Sequence, residues 1–176
     1  MFNKEYTMQI FIMRHGEASP QNFSSINGDS LRPLTNKGCT EAESTGQWLV
    51  KRNVSAFDIF VSPYLRAQQT CQHVVKALSS EAQQDYIQLE TIDFITPEGD
   101  AQQVHDFIDG AIAASVNDDK AILFVSHMPF VSYLVAELTK SQNTPIFATG
   151  AIAYIDYDVQ QMHGELCEIY TPSVEV

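Results

Sequence analysis

An α/β fold with a mostly parallel central sheet is what this sequence predicts, and three observations carry that expectation. Short apolar runs alternate along the chain with segments of helical periodicity, the order that builds parallel strands covered by helices. Two of those runs, Ile10 to Met13 and Ala121 to Val125, are apolar at every residue, as strands buried on both faces require. Each is followed within two residues by a histidine, His15 and His127. Open α/β sheets place their ligands beyond the carboxyl ends of the strands.

The chain of 176 residues suits a single domain spanning 1–176, with residues 1–7 as a loose N-terminal extension. A hydrophobic fraction of 44% argues for a folded globule rather than a disordered chain. The net charge of −12 argues against general nucleic-acid binding, which depends on accumulated lysine and arginine. A pocket lined by a few arginines can still attract phosphate inside an acidic protein. No run reaches transmembrane length and the first apolar run is too short for a signal-peptide core, so a soluble cytoplasmic protein with no membrane partner is expected. Cys39, Cys71 and Cys167 are too widely spaced for a CxxC motif and are expected to be reduced and mostly buried.

In chain order, the strand through Ile10 to Met13 delivers Arg14, His15 and Gly16 to a turn. Were a phosphoryl group to sit there, Arg14 could fork onto its oxygens while His15 attacks phosphorus. Otherwise Arg14 caps a carboxylate and His15 packs at the sheet edge. Residues 21 to 33 are polar and read as a mobile loop ending at Arg32, which either reaches into the site or is an ordinary surface arginine. Thr35 can cap a helix whose buried face carries Ala42, Thr45, Trp48 and Leu49.

Phe57 to Val61 forms the second strand, with Ser62 as N-cap and Pro63 at the first position of the following helix. Ala67, Cys71, Val74 and Leu78 make its buried stripe. Arg66 falls in the first turn, where a cation gains nothing from the helix dipole unless it shares an anion with the helix amides. It is equally readable as an isolated rim arginine. Tyr86 to Leu89 reads as a third strand, followed by four carboxylates, Glu90, Asp93, Glu98 and Asp100, any of which could donate a proton if suitably placed. Asp100 also suits an N-cap with Gln103 in capping-box register.

Val104, Phe107, Ile108, Ala111 and Ile112 give the third helix its buried face, which leaves His105 at the surface, and Asp118 and Asp119 mark the turn that ends it. After the strand Ala121 to Val125 come Ser126, His127, Met128 and Pro129, with Pro129 at the first helical position and Phe130, Tyr133, Leu134 and Leu138 facing the sheet. Ile146 to Ile155 and Met162 to Tyr170 read as closing strands, a hairpin at the edge of the sheet. Neighbouring strand ends would bring His15 and His127 together.

Four ordered blocks make a resemblance specific: RHG at Arg14 to Gly16, RPLTNKG at Arg32 to Gly38, VSPYLRAQQT at Val61 to Thr70, and VSHMPFVSYLVAEL at Val125 to Leu138. Together they resemble the histidine phosphatase superfamily over Met8 to about Tyr170, and within it the small bacterial phosphohistidine phosphatases. The resemblance implies a three-layer α/β/α sandwich of the phosphoglycerate mutase-like kind, without a large inserted subdomain. It further implies that His15 takes the phosphoryl group covalently, and that Arg14, Arg32, Arg66 and His127 hold its oxygens.

The arginine set supplies the positive charge, no compact ligand spacing suggests a metal, and no cofactor is implied. The wider superfamily commonly protonates an alkoxide leaving group with an acidic residue, and none of the four carboxylates in the short segment from Leu89 to Val104 stands in an unambiguous acid position, with Glu98 as the possible general acid. A phosphorylated histidine needs that acid less, because imidazole leaves more readily than an alkoxide. The expected partner is therefore a histidine-phosphorylated protein. A small-molecule phosphomonoesterase or mutase, and a phosphate-dependent binding module without turnover, are the alternatives.

Overall fold

The computed structural model describes residues 7–20, 28–80, 86–114 and 120–173. Residues 1–6, residues 21–27 of the polar loop and the Asp118–Asp119 turn lie outside the described residues. Among the described residues, six strands form one sheet: β1 (Thr7–Arg14), β2 (Ala56–Val61), β3 (Tyr86–Thr91), β4 (Lys120–Ser126), β5 (Ile152–Asp158) and β6 (His163–Tyr170). Four helices cover it: α1 (Asn36–Val50), α2 (Leu65–Ser79), α3 (Ala101–Ala114) and α4 (Phe130–Leu138). The order across the sheet is β3-β2-β4-β1-β5-β6. The first four strands are parallel, and β5 and β6 run antiparallel at one edge.

The faces follow from strand alternation. Ile10 and Ile12 of β1 point to one side with Ile122 and Phe124 of β4, where Val104 and Ile108 of α3 and Leu134 and Leu138 of α4 bury them. Phe11 and Met13 point to the other with Leu123 and Val125, against Leu49 of α1 and Val74 and Leu78 of α2. Each such side chain contributes about 1.5–3 kcal/mol by leaving water. Because the chain moves outward from β1 to β3 and then turns back to β4, right-handed connections put α1 and α2 on one face and α3 on the other, where α4 packs beside it. The product is the expected three-layer sandwich. Among the described residues, no helix is long and apolar enough to cross a membrane.

Several local expectations change. Thr35 does cap α1, accepting from the Gly38 amide. Ser62 and Pro63, however, lie before α2, whose N-cap is Tyr64, and the Ser62 hydroxyl is engaged elsewhere. Asp100 accepts from the amide of Gln102 at 2.9 Å, a cap bond at the start of α3. Pro129 stands one place before α4, as its N-cap. Tyr133 is 53% exposed, so the stripe of α4 is carried by Phe130, Leu134 and Leu138 without it. The first closing strand begins at Ile152 rather than Ile146, which is exposed on the preceding loop. Among the cysteines Cys71 is buried, Cys39 half-buried and Cys167 exposed on the edge strand.

His105 is also not at the surface. It is buried between α3, α4 and β5, where Nδ1 meets Glu137 Oε1 at 2.8 Å and Nε2 meets the Tyr157 hydroxyl at 2.8 Å. Tyr157 donates in turn to Asp109 at 2.8 Å. Helical periodicity put His105 beside the apolar stripe, but α3 packs on two neighbours and buries a wider arc than one stripe.

Candidate active site

The sheet register brings three strand ends level. Arg14 of β1 pairs with Ser126 of β4, and Val61 of β2 with Val125. The ladder continues one step past the strands: His15 N–H donates to Ser126 at 2.9 Å, and Ser62 N–H donates to Val125 at 3.1 Å. His15, His127 and Ser62 therefore emerge side by side. The two imidazole centroids are 5.0 Å apart.

His15 is fixed at both ends of its peptide unit, since its carbonyl also accepts from Gly150 N–H at 3.0 Å. Its ring Nδ1 lies 2.7 Å from the carbonyl of Gly16. A carbonyl can only accept, so Nδ1 carries the hydrogen and Nε2 keeps a lone pair. Burial, reinforced by the charges of Arg66, Arg14 and Arg32, pushes the His15 pKa down to about 4, although the Gly16 bond opposes this. The ring is thus neutral and nucleophilic at neutral pH.

Arg66 is only 4% exposed, far from the rim position its place in the first turn suggested. Its Nε donates to His15 Nε2 at 3.1 Å, and its guanidinium lies 5.0 Å from the centroid of the Tyr64 ring. The remaining nitrogens reach Asp29, one to the backbone carbonyl at 2.6 Å and one to the carboxylate at 3.0 Å. Arg32 donates through Nε to the Ser19 carbonyl and through a terminal nitrogen to the other Asp29 oxygen, each at 2.8 Å. Arg14 donates to the Phe147 carbonyl at 2.6 Å. Its buried Nε has no partner among the described residues.

His127 meets the Ser62 hydroxyl through Nε2 at 2.7 Å. The Ser62 oxygen also lies 3.4 Å from the Tyr64 amide, from which it accepts. If Ser62 gives its own proton to Nε2, His127 retains the hydrogen on Nδ1. That buried Nδ1, like Arg14 Nε, has no partner among the described residues. Buried polar atoms are rarely left so, and an oxyanion is the kind of acceptor that could satisfy two such donors. Burial first, then the nearby His15 and Arg66, drives the His127 pKa down as well.

A second tier holds the turn. Gly16 N–H donates to the Thr70 hydroxyl at 3.1 Å, and Thr70 donates to the Arg66 carbonyl at 2.7 Å, linking the His15 turn to α2. Glu41, buried on α1, accepts from Glu17 N–H at 2.7 Å and from the Thr149 hydroxyl at 2.9 Å. Gly16 and Gly38 touch backbone to backbone: a Cβ on Gly38 would sit 2.0 Å from the Glu17 carbonyl, and one on Gly16 2.3 Å from the Gly38 carbonyl. The last glycine of RPLTNKG is needed for this close approach.

Of the residues singled out in the sequence, Arg14, His15, Arg32, Arg66 and His127 converge. Glu98 is exposed between β3 and α3, with no hydrogen bond or ion pair to any of the five. Sequence reasoning missed Asp29, Ser62 as the partner of His127, Thr70, Tyr64 and Glu41. Ser62, Tyr64 and Thr70 stood inside the VSPYLRAQQT block without their partners being legible, and Glu41 had its own signal, a carboxylate one helical turn from both Gly38 and Thr45 on the face that packs inward.

The model of the histidine phosphatase superfamily (branch 1) matches residues 10–105. The phosphohistidine phosphatase SixA of Escherichia coli strain K12 is 38% identical over 151 residues, covering 86% of each chain. The SixA homolog of Haemophilus influenzae is 38% identical over 157 residues, covering 86% of this chain and 89% of that protein. A solved structure of the protein histidine phosphatase SixA complexed with tungstate overlays with a TM-score of 0.79 at 35% identity, covering 93% of this chain and 97% of the other.

Proposed function

The chain belongs to the histidine phosphatase superfamily, and from that premise we propose that it removes the phosphoryl group from a phosphorylated histidine on a protein, through a covalent intermediate on His15. The observation that carries the chemistry is the His15 ring, whose Nδ1 is committed to Gly16 and whose Nε2 lone pair faces the guanidinium of Arg66. On substrate binding the Nε–H of Arg66 redirects its hydrogen bond from His15 Nε2 to a phosphoryl oxygen, which frees the lone pair. Nε2 then attacks in line. The new N–P bond forms as the P–N bond of the substrate breaks, and the departing imidazole keeps or takes up one proton.

Arg14, Arg32, Arg66 and the Nδ1–H of His127 hold the three equatorial oxygens, whose charge they stabilise most when already in place. Water next attacks the phosphorus, the His15–P bond breaks, and inorganic phosphate leaves with His15 neutral again. No cofactor enters either step.

The substrate class rests on the absence of a placed acid. Glu98 is exposed and bonded to none of the five site residues. Asp29 is close, but its carboxyl is held below the usual range: partial burial would raise it, and the hydrogen bonds and charges of Arg32 and Arg66 outweigh that. An ionised, doubly paired carboxylate is a poor proton donor. Without an acid an alkoxide loses about 10²–10⁴-fold, whereas a protonated imidazole loses little. The partner is then a histidine-phosphorylated protein of the cytoplasm.

The test compares kcat/KM for a histidine-phosphorylated carrier protein with that for alkyl phosphates, alongside acid-quenched mass spectrometry. The phosphoprotein should be strongly preferred and the adduct should sit on His15. Equal efficiency on alkyl phosphates, with a large loss in Glu98→Gln, would instead make this a phosphomonoesterase. Phosphoprotein binding without product release would make it a binding module.

A further inference from the structure

Asp29 has no part in the chemistry above, yet it touches two of the arginines that chemistry needs. Its carboxylate bridges Arg32, at 2.8 Å, and Arg66, at 3.0 Å, one oxygen to each. Its negative charge also acts on His127. Two explanations compete for such a bridge: a brace that aims the arginines, or an internal anion sitting where a substrate anion would go.

The backbone bonds decide between them. Arg14 is already anchored by the Phe147 carbonyl, Arg32 by the Ser19 carbonyl and Arg66 by the Asp29 carbonyl. Residues 29–30 are themselves docked on α2 by Leu65 N–H donating to the Ser30 carbonyl at 2.9 Å. Each guanidinium is thus placed by a main-chain acceptor that does not depend on the Asp29 side chain. The carboxylate takes one terminal N–H of Arg32 and one of Arg66, on nitrogens that a phosphoryl group would also engage. A carboxylate presents two acceptor oxygens to a guanidinium much as a phosphoryl group does.

We propose that the Asp29 carboxylate is a built-in competitor for the phosphate subsite, holding Arg32 and Arg66 until a phosphoryl group displaces it. Displacement needs only a turn of the Asp29 side chain, which is 37% exposed and so can be hydrated once released. With Asp29 engaged, Arg66 also keeps its Nε–H on the His15 lone pair. The same bridge therefore sets a threshold. Weak anions such as free phosphate compete poorly with an intramolecular carboxylate, while a phosphoryl group carried on a docked protein brings extra binding energy to displace it.

This inference concerns the anion subsite and rests on the proposed function only for the identity of the substrate. It is tested by titration calorimetry of the whole chain with inorganic phosphate and with tungstate, comparing wild type, Asp29→Asn and Asp29→Glu, with thermal melts to establish folding. Asp29→Asn should bind both anions about tenfold or more tightly, the scale expected from removing a charged hydrogen-bonding competitor. Asp29→Glu, which keeps the charge, should remain within about threefold of wild type by the same reasoning. Unchanged or weaker binding by a folded Asp29→Asn protein would overturn the proposal and make Asp29 a brace. Failure of the His15 adduct experiment would leave this result intact, because anion affinity is read without turnover.

Discussion

Lowering the pH from 7 to 5 should leave the His15 ring neutral, as the proposed attack on phosphorus requires. A histidine at its ordinary value of 6.5 is only about 3% neutral at pH 5. With His15 held at about 4, close to 90% of it stays neutral at pH 5. The difference is about thirtyfold in reactive enzyme. Its main origin is burial, with the cations Arg66, Arg14 and Arg32 adding to it. Because the His127 ring lies 5.0 Å away and its own pKa is lowered further, the first proton is taken up by the pair. The assay is a ring-carbon NMR titration of histidine-labelled protein, with His15 assigned by its loss in His15→Gln. A midpoint near 4 is expected, and Arg66→Met should raise it without restoring 6.5, because the burial remains. A midpoint of 6 or above in the wild type would refute the reasoning. The same shift has a stability counterpart. Between 6.5 and about 4 the unfolded chain binds a proton at His15 that the folded chain refuses. Stability is therefore complete above 6.5 and falls as the pH drops, by up to about 1.4 kcal/mol per pH unit for each such histidine.

Thr70→Val should cost about 1–3 kcal/mol in chemical denaturation, since it strands the buried Gly16 N–H. Ser62→Ala should also cost about 1–3 kcal/mol by stranding the buried Nε2 of His127, and should lower kcat/KM about tenfold to a hundredfold, less than outright loss of an oxyanion donor, because His127 loses the partner that fixes its tautomer. Wild-type turnover in that variant would show that the bond to Ser62 is dispensable. Gly38→Ala forces the Glu17 backbone away from a Cβ that would lie 2.0 Å from its carbonyl. Displacing His15 by about 1 Å should cost on the order of 10²-fold in kcat/KM while far-UV circular dichroism stays native.

The chain's local patterns were enough for its framework. Runs apolar at every residue at Ile10–Met13 and Ala121–Val125 can only be strands buried on both faces, and the stripe Ala67, Cys71, Val74, Leu78 can only be the inner face of a helix. These patterns repeat within a few residues, so they are written where they act. The same locality exposed Arg14, His15 and His127, which stand at strand ends, and brought Arg66 and Arg32 into view by their odd positions. It failed where the deciding contact joins distant segments. Ser62 looks like a helix cap until β2 and β4 lie side by side and offer it His127 instead. His105 looks exposed until α4 and β5 supply Glu137 and Tyr157. Asp29 is one acid in a polar loop until Arg32 and Arg66 close on its two oxygens. A polar side chain's role is set by which donors and acceptors surround it, and those neighbours come from strands and helices far along the chain. Apolar periodicity determines where each element lies and which way it faces; the partners of the buried polar groups, and hence the working state of the site, are decided only when the sheet brings its strand ends together.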